Sequence, residues 1–486
     1  MNNFKSKLDN FFQITERGST VKTEIVAGLT TFFAMCYILA VNPIQMIGMF
    51  NGASNAPHLA NAVFIATALG AIVGTVLLAL YAKMPYAQAP GMGLNSFFFV
   101  SFMLPMALNG SFDFETGYMK GLAVILISGV LFLVLSLTGA RKAIVRALPD
   151  CLKKAIPAGI GLFIAFIGLQ SSGIIQSHPY VMTQLGDISI LQPWLSGQPI
   201  TMAWTSVAPI LVAFFGFMLI AILSKYKIKG SLIIGIIVTT FLYYFVTWQL
   251  PSFSLGDIGS SFKDFGKFGI GAAFKGFKPL FTFGDVNAFA GILNIIMLVI
   301  TFCLVDMFDT MGTLQGTASE AGMLDEDGIP QNIDKCLVCD AAATVVGAIV
   351  GTSTVTTYVE SAAGVAQGGR TGLTALVVTI MFIIALFLRP LFAIIPAVAT
   401  APALIWVGVL MLKNFKLVDM DDIGSAVPAF LTLIIMPLSY SISNGIAIGM
   451  ISYTIIALAT GKFKKKDILV AILGLLFLLR FLFIKM

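Results

Sequence analysis

Residues 84–99 read MPYAQAPGMGLNSFFF, and residues 350–369 read VGTSTVTTYVESAAGVAQGG. Both stretches interrupt apolar blocks whose length approaches the ~20 residues that cross a hydrocarbon core as helix. In the first, Pro85, Pro90, Gly91 and Gly93 stop any helix before about Met92 and leave Tyr86 to Ala89 extended. In the second, the β-branched, hydroxyl-rich run Thr352 to Thr357 favours an extended form, with a helix starting near Tyr358. Open backbone at membrane depth is tolerated only where protein buries it or where it lines a cavity, so both stretches mark a site.

Working outward, apolar blocks fall at 26–48, 60–82, 86–105, 118–138, 152–174, 204–223, 229–248, 288–317, 334–351, 353–368, 371–394, 397–412, 426–440 and 442–461. This reads as an all-α polytopic membrane protein of about 14 transmembrane segments. The two broken stretches are then the third span of the first seven and the third of the last seven. An odd number of spans per half inverts the second copy, so the chain is expected to form two inverted repeats of seven, with extended pieces in spans 3 and 10. The two half-helices would aim N-terminal amides at one cavity from opposite sides and favour an electron-rich ligand. A last apolar block, 467–484, follows the run KFKKK and either lies along the inner interface or crosses with Arg480 snorkelling.

Composition agrees with this reading. Of 486 residues, 58% are hydrophobic and 11% charged, with a mean hydropathy of +0.95, too few charges to coat a soluble surface of that size. Strand-like alternation is absent, against an outer-membrane barrel. The net charge of +6 is spread in short clusters between apolar blocks, which reads as topology signal and not as a nucleic-acid surface. Residues 1–25 lack the pattern of a cleavable signal peptide, so the first block is expected to be a retained span. The five cysteines lie in or beside apolar blocks, and Cys336 and Cys339 form a C-x-x-C. With only His58 and His178 elsewhere, helix packing is preferred over a metal site, and no metal or cofactor is expected.

Lys and Arg collect in the loops that are cytoplasmic if the N-terminus is cytoplasmic: Lys83; Arg141, Lys142 and Arg146; Lys225, Lys227 and Lys229; Arg370; Lys413 and Lys416; and KFKKK. The loops 49–59 and 175–203 carry none. Lys120, Arg389 and the lysines of the Gly/Phe/Lys-rich stretch 249–287 are exceptions. A multi-pass protein of the cell membrane with a cytoplasmic N-terminus is expected.

Acidic residues inside the spans name the candidate site. Asp306, Asp309 and Thr313 fall at i, i+3 and i+7 on one helical face of span 8, Glu360 follows the extended run of span 10, and Asp340 lies within span 9. Such carboxylates without matched bases should face a hydrated cavity, take protons or bind solute. Asp340 reads more readily as a structural partner of broken backbone. Asn95 offers a donor and an acceptor to a planar heterocycle, and Phe97, Phe98, Phe308 and Tyr358 are candidates to stack on it. Gln88 is a weaker candidate, Arg370 reads as a topology charge, and Asp325 to Gly328 fails the EF-hand pattern and reads as a solvated turn.

The segments QAPGMGLNSFF, LVDMFDTMGTLQG and GTSTVTTYVESAAGVAQGGRTGLTA resemble, in order, the signature segments of the AzgA-like purine permeases of the nucleobase-cation symporter-2 family, over residues 12 to 460. The resemblance implies a core domain of spans 1–4 and 8–11 and a gate domain of spans 5–7 and 12–14. In this chain these become core 26–138 and 288–394, gate 139–250 and 395–461, with 1–25 a cytoplasmic N-terminus, 251–287 a loop between repeats and 462–486 a basic run and apolar helix. It also implies uptake of guanine, hypoxanthine or adenine by proton symport, with Gly93, Asn95, Asp306, Asp309 and Glu360 as purine contacts. Glu360 and Asp309 are the candidates for proton coupling, supported by Asp340, Thr313, Phe308 and Tyr358. The expected partners are a purine nucleobase, protons and the lipid bilayer, with a homodimer left open as the assembly. The alternative is an anion or other small-solute carrier on the same architecture, which should show a basic residue near the half-helix ends. An intramembrane enzyme lacks a serine–histidine pair, an HExxH or paired metal ligands.

Overall fold

The computed structural model describes residues 2–48, 55–108, 110, 113–138, 148–178, 182–189, 200–226, 228, 230–248, 256–282, 288–324 and 329–483. The expected turn at 325–328 and the cations Arg141, Lys142, Arg146, Lys227 and Lys229 lie outside them. Among the described residues nine helices are long and apolar enough to cross a membrane, and Met92–Leu108, Ser231–Thr247 and Ile423–Leu438 are shorter apolar helices at spans 3, 7 and 13. Span 9, Ile333–Val350, and the broken span 10 complete the fourteen. Span 1 starts earlier than expected, at Val21 with Thr20 as its N-cap, and is interrupted by a turn at Cys36 and Tyr37 before resuming as Ile38–Ile47.

The two broken segments pair with each other. Strand β1 (Gln88–Pro90) runs antiparallel to a strand of span 10, Val355–Thr357, with Gln88 opposite Thr357, Ala89 opposite Thr356 and Pro90 opposite Val355. Between them in sequence, β2 (Ile175–His178) and β3 (Met182–Leu185) form a hairpin after span 5, so the span 10 strand is β4. A two-stranded ribbon leaves outer edges unpaired, and in an apolar interior each such group would cost several kcal/mol. Side chains close those edges. Thr75 Oγ accepts from Gln88 N at 3.0 Å and donates to Gln88 O at 3.1 Å. Thr344 Oγ accepts from Val355 N at 3.1 Å, and Ser361 Oγ accepts from Ala87 N at 3.0 Å. The hydroxyls that close the ribbon thus come from span 2 (Thr75), span 9 (Thr344) and the start of the span 10 helix (Ser361).

After β1 the chain enters the half-helix Met92–Phe98, where it was expected. After β4 the helix begins at Ser361, three residues later than expected, because Tyr358 N is held by Ala87 O and extends the ribbon. Spans 1, 2, 4, 8, 9 and 11 pack around this pair as one group, and spans 5, 6, 7, 12, 13 and 14 pack on one another as a second. Within the second group Gly161 and Gly408 let spans 5 and 12 touch backbone to backbone, since a Cβ on Gly161 would lie 3.0 Å from Gly408 O.

The stretch 251–287 is more than a loop. It carries helices Gly256–Asp264, Ala272–Lys275 and Phe277–Leu280, packed on spans 2 and 4. Asp264 is held by His58 Nδ1 at 3.0 Å and by Asn61 Nδ2 at 2.9 Å, and Arg389 donates to Asn61 Oδ1 at 2.7 Å. Arg389, an exception to the topology rule, is therefore a tie at the face opposite the N-terminus. The apolar segment Ile468–Phe483 runs antiparallel along span 14: Asp467 accepts from Tyr453, Gly474 lies against Met450 and Ile451, and Arg480 donates to Ser443 and Asn444 at the start of that span. It takes the direction that a further crossing segment would have.

Candidate functional site

Two faces meet at a cavity of about 450 Å³, within the ~300–1,000 Å³ typical of small-molecule sites. The first group contributes Gly91, Met92 and Gly93 at the start of the span 3 half-helix, Phe308, Asp309 and Thr313 of span 8, and Thr356 to Glu360 of span 10. The second contributes Pro157 and Ile164 of span 5, Leu232 of span 7, and Val407, Leu410, Met411 and Lys413 of span 12. The polar wall is rigid by construction, because the β1–β4 ribbon fixes both half-helix starts relative to each other. The opposite wall is apolar except for Lys413.

Glu360 and Asp309 are the carboxylates of this cavity. Glu360 Oε1 accepts a 2.6 Å hydrogen bond from the Tyr37 hydroxyl, which stands at the interruption of span 1. Asp309 has no hydrogen-bond partner among the described residues, and neither acid joins an ion pair there. Tyr358 donates to Pro90 O, which pins its ring as part of the wall. Gly93 carries a packing requirement: a Cβ there would sit 2.5 Å from Ile160 of span 5, so the half-helix start and span 5 can approach only without a side chain.

The other candidates lie behind the wall. Asp306, 1% exposed, accepts from Thr344 at 2.9 Å, and Thr344 in turn holds Val355 of β4. Asn95, fully buried, is hydrogen-bonded through Oδ1 to Ser353. Asp340 accepts from the side-chain Nε2 of Gln88 in β1 at 3.1 Å. Asp306 and Asp309 share a helix but face different surroundings, so span 8 presents Asp309 and Thr313 to the cavity and keeps Asp306 beneath the ribbon. Phe97 packs on Phe302 at 4.8 Å, and Phe98 packs on Phe102 and Tyr118, away from the cavity that Phe308 and Tyr358 line. Arg370 donates to Val365 O and Gly369 O and so caps the span 10 helix end.

Two residues escaped the sequence reading. Tyr37 carried a signal, a hydroxyl in the middle of an apolar span, but nothing local tied it to Glu360. Glu24 was assigned with the N-terminal segment, yet it is fully buried and accepts from Arg370 N (2.9 Å), Thr374 N (3.2 Å) and Thr374 Oγ (2.6 Å), capping the start of span 11.

Residues 22–448 match the family model described as the permease family, that of the xanthine/uracil permeases. The chain belongs to that family. Relatives align over nearly their whole length: the guanine/hypoxanthine permease PbuG of Bacillus subtilis is 38% identical over 98% of this chain and 100% of its own. The adenine permease AdeQ of Escherichia coli is 35% identical over 100% of this chain and 98% of its own. Among solved structures, the transmembrane domain of the cyanobacterial bicarbonate transporter BicA superposes with a TM-score of 0.58 at 15% identity, covering 87% of this chain and 96% of that one. That likeness shows the fold: a helical membrane protein of two inverted repeats divided into core and gate, as expected from the sequence. The family member is accordingly a multi-pass membrane permease.

Proposed function

We propose that this permease imports purine nucleobases, guanine, hypoxanthine or adenine, across the cell membrane by proton symport, with its N-terminus cytoplasmic. The observation that carries the reading is the pairing of Asp309 and Glu360 in one cavity, neither of them in an ion pair among the described residues, beside the starts of both half-helices. A carboxylate accepts two hydrogen bonds side by side, which suits the adjacent N–H groups of a guanine edge. The half-helix amides at Met92 and Gly93 can donate to ring nitrogens or a carbonyl. Phe308 and Tyr358 supply flat apolar surface for the ring. The names of the relatives, guanine/hypoxanthine and adenine permeases, support the same substrate class.

Coupling follows from the same groups. Glu360 can hold the transported proton while bonded to Tyr37, and exchange it when a purine N–H takes over the carboxylate; Asp309 is the rival for this role. The gate (139–250 and 395–461) then moves against the core (26–138 and 288–394), sliding at Gly93 and Ile160, to expose the cavity alternately to each face. Asn95, Asp306 and Asp340 would act through the ribbon that shapes the cavity. An anion carrier on this fold is disfavoured by the two carboxylates in the wall, against which only Lys413 among the described lining residues is basic.

Uptake of radiolabelled guanine, hypoxanthine, adenine, uracil and xanthine into cells lacking their own carriers tests the reading. Protonophore-sensitive accumulation of at least one of the three named purines is expected. Accumulation confined to pyrimidines, xanthine or inorganic anions would overturn it.

A further inference from the structure

A second cavity, of about 200 Å³, lies on the same core–gate seam. Span 5 turns Ile164 into the first cavity and Ile167 into the second, and span 12 turns Val407 into the first and Leu404 into the second. Three residues are about one helical turn. Span 3 repeats the pattern, with Met92 and Gly93 at the first cavity and Ser96 at the second. The two spaces are therefore consecutive along one route, the second toward the face that carries Gly48 and Ala397.

The second cavity has its own polar equipment. Gln45 of span 1 is 7% exposed, and its Nε2 donates to Met92 O at 3.1 Å and to Ser96 Oγ at 2.6 Å. Gln45 Oε1 is buried with no hydrogen-bond partner among the described residues. Ser96 Oγ accepts from Gln45, and its own proton is donated to no described partner. An acceptor thus stands beside a donor, and a buried carbonyl left unsatisfied is costly. Across the cavity, on the gate, stands Tyr440, whose ring meets Phe163 edge-on at 5.7 Å and Phe166 at 6.0 Å. Its backbone is left-handed, with φ of 52°, a conformation that strains a residue with a side chain. A carboxamide acceptor, a hydroxyl donor and a braced aromatic ring are what a planar heterocycle with an N–H beside a ring nitrogen or carbonyl requires.

We infer that this cavity is a second binding station, in which Gln45, Ser96 and Tyr440 take the purine base on the outer side of the seam before it reaches Asp309 and Glu360. The inference rests on the purine reading. Gln45 and Ser96 bond one edge of the base, and Tyr440 covers its face. Because Gln45 also holds Met92 O, occupation of the outer station bears directly on the wall of the inner one.

The test measures radiolabelled hypoxanthine, guanine and adenine transport in right-side-out and inside-out vesicles. Gln45→Leu, Ser96→Ala and Tyr440→Ala should each raise the ratio of entry KM to exit KM, about tenfold for Gln45→Leu and Tyr440→Ala, and Tyr440→Phe should recover most of the change. Should Gln45→Leu fail to reach the membrane, Ser96→Ala and the Tyr440 pair decide alone. An unchanged ratio in variants present at normal amount would overturn the inference, as would an equal rise in both directions, which would make Gln45 a support of Met92. Wild-type vesicles that carry none of these purines would instead refute the purine reading itself.

Discussion

The Tyr37 hydroxyl donates a 2.6 Å hydrogen bond to Glu360 Oε1, joining the interruption of span 1 to the start of the span 10 helix. The bond fixes one oxygen of Glu360 and leaves the other to the cavity. It places the candidate proton carrier under the control of a residue 323 positions away in sequence.

The first prediction concerns this pair. Glu360→Gln keeps the shape of the protonated acid, so it should retain measurable purine binding while losing accumulation against a gradient. Tyr37→Phe removes a hydrogen bond worth about 1.5–3 kcal/mol when its acceptor is charged, so uptake should fall roughly tenfold or more. Uptake between pH 5 and 8, with and without a protonophore, for both variants and Asp309→Asn, checks this. If Glu360→Gln still concentrates purine in a protonophore-sensitive manner, coupling belongs to Asp309 or elsewhere.

Asn95→Ala and Asp306→Ala should each abolish or severely weaken uptake while the protein remains in the membrane. Neither side chain lines the cavity; each braces the ribbon, Asn95 through Ser353 and Asp306 through Thr344. Asn95→Ala leaves the buried Ser353 hydroxyl without its partner, so a cost of about 1–3 kcal/mol should appear as a lower melting temperature in detergent, whereas after Asp306→Ala the Thr344 hydroxyl keeps its bonds to Val355 and the loss should fall on uptake. Saturable uptake close to wild type would remove that residue from the machinery.

A side chain at position 93 should wedge the seam. Gly93→Val is expected to overpack against Ile160 at a cost of about 1–3 kcal/mol and to cut uptake roughly tenfold or more. Ile160→Ala in the same chain should restore much of the loss by clearing the space. Failure of the double variant to improve on Gly93→Val would place the damage in the half-helix itself.

The final prediction is topological. Because Ile468–Phe483 runs antiparallel to span 14, single cysteines at Lys462 and Leu482, both exposed, should react with a membrane-impermeant thiol reagent from opposite faces. The five native cysteines are buried and should give a low background. Labelling of both from one face would lay this helix along the membrane surface.

The sequence by itself determined what depends on short range. Length and apolarity specify the spans, Pro90, Gly91 and Gly93 break span 3 at Met92, and the hydroxyl-rich run makes span 10 extended, because these follow from backbone sterics and from the cost of polar groups in lipid. Equal placement of the two breaks in inverted halves then predicted that both half-helix starts meet at one cavity, as they do. Only the tertiary structure decided that β1 pairs with β4, that Asp306 and Asn95 brace this ribbon and stand outside the cavity, and that Tyr37 holds Glu360. Helical spacing cannot separate Asp306 from Asp309, since three residues apart on one helix share a face. What separates them is a neighbour from span 9, Thr344, which needs one carboxylate beneath the ribbon and leaves the other free for the cavity.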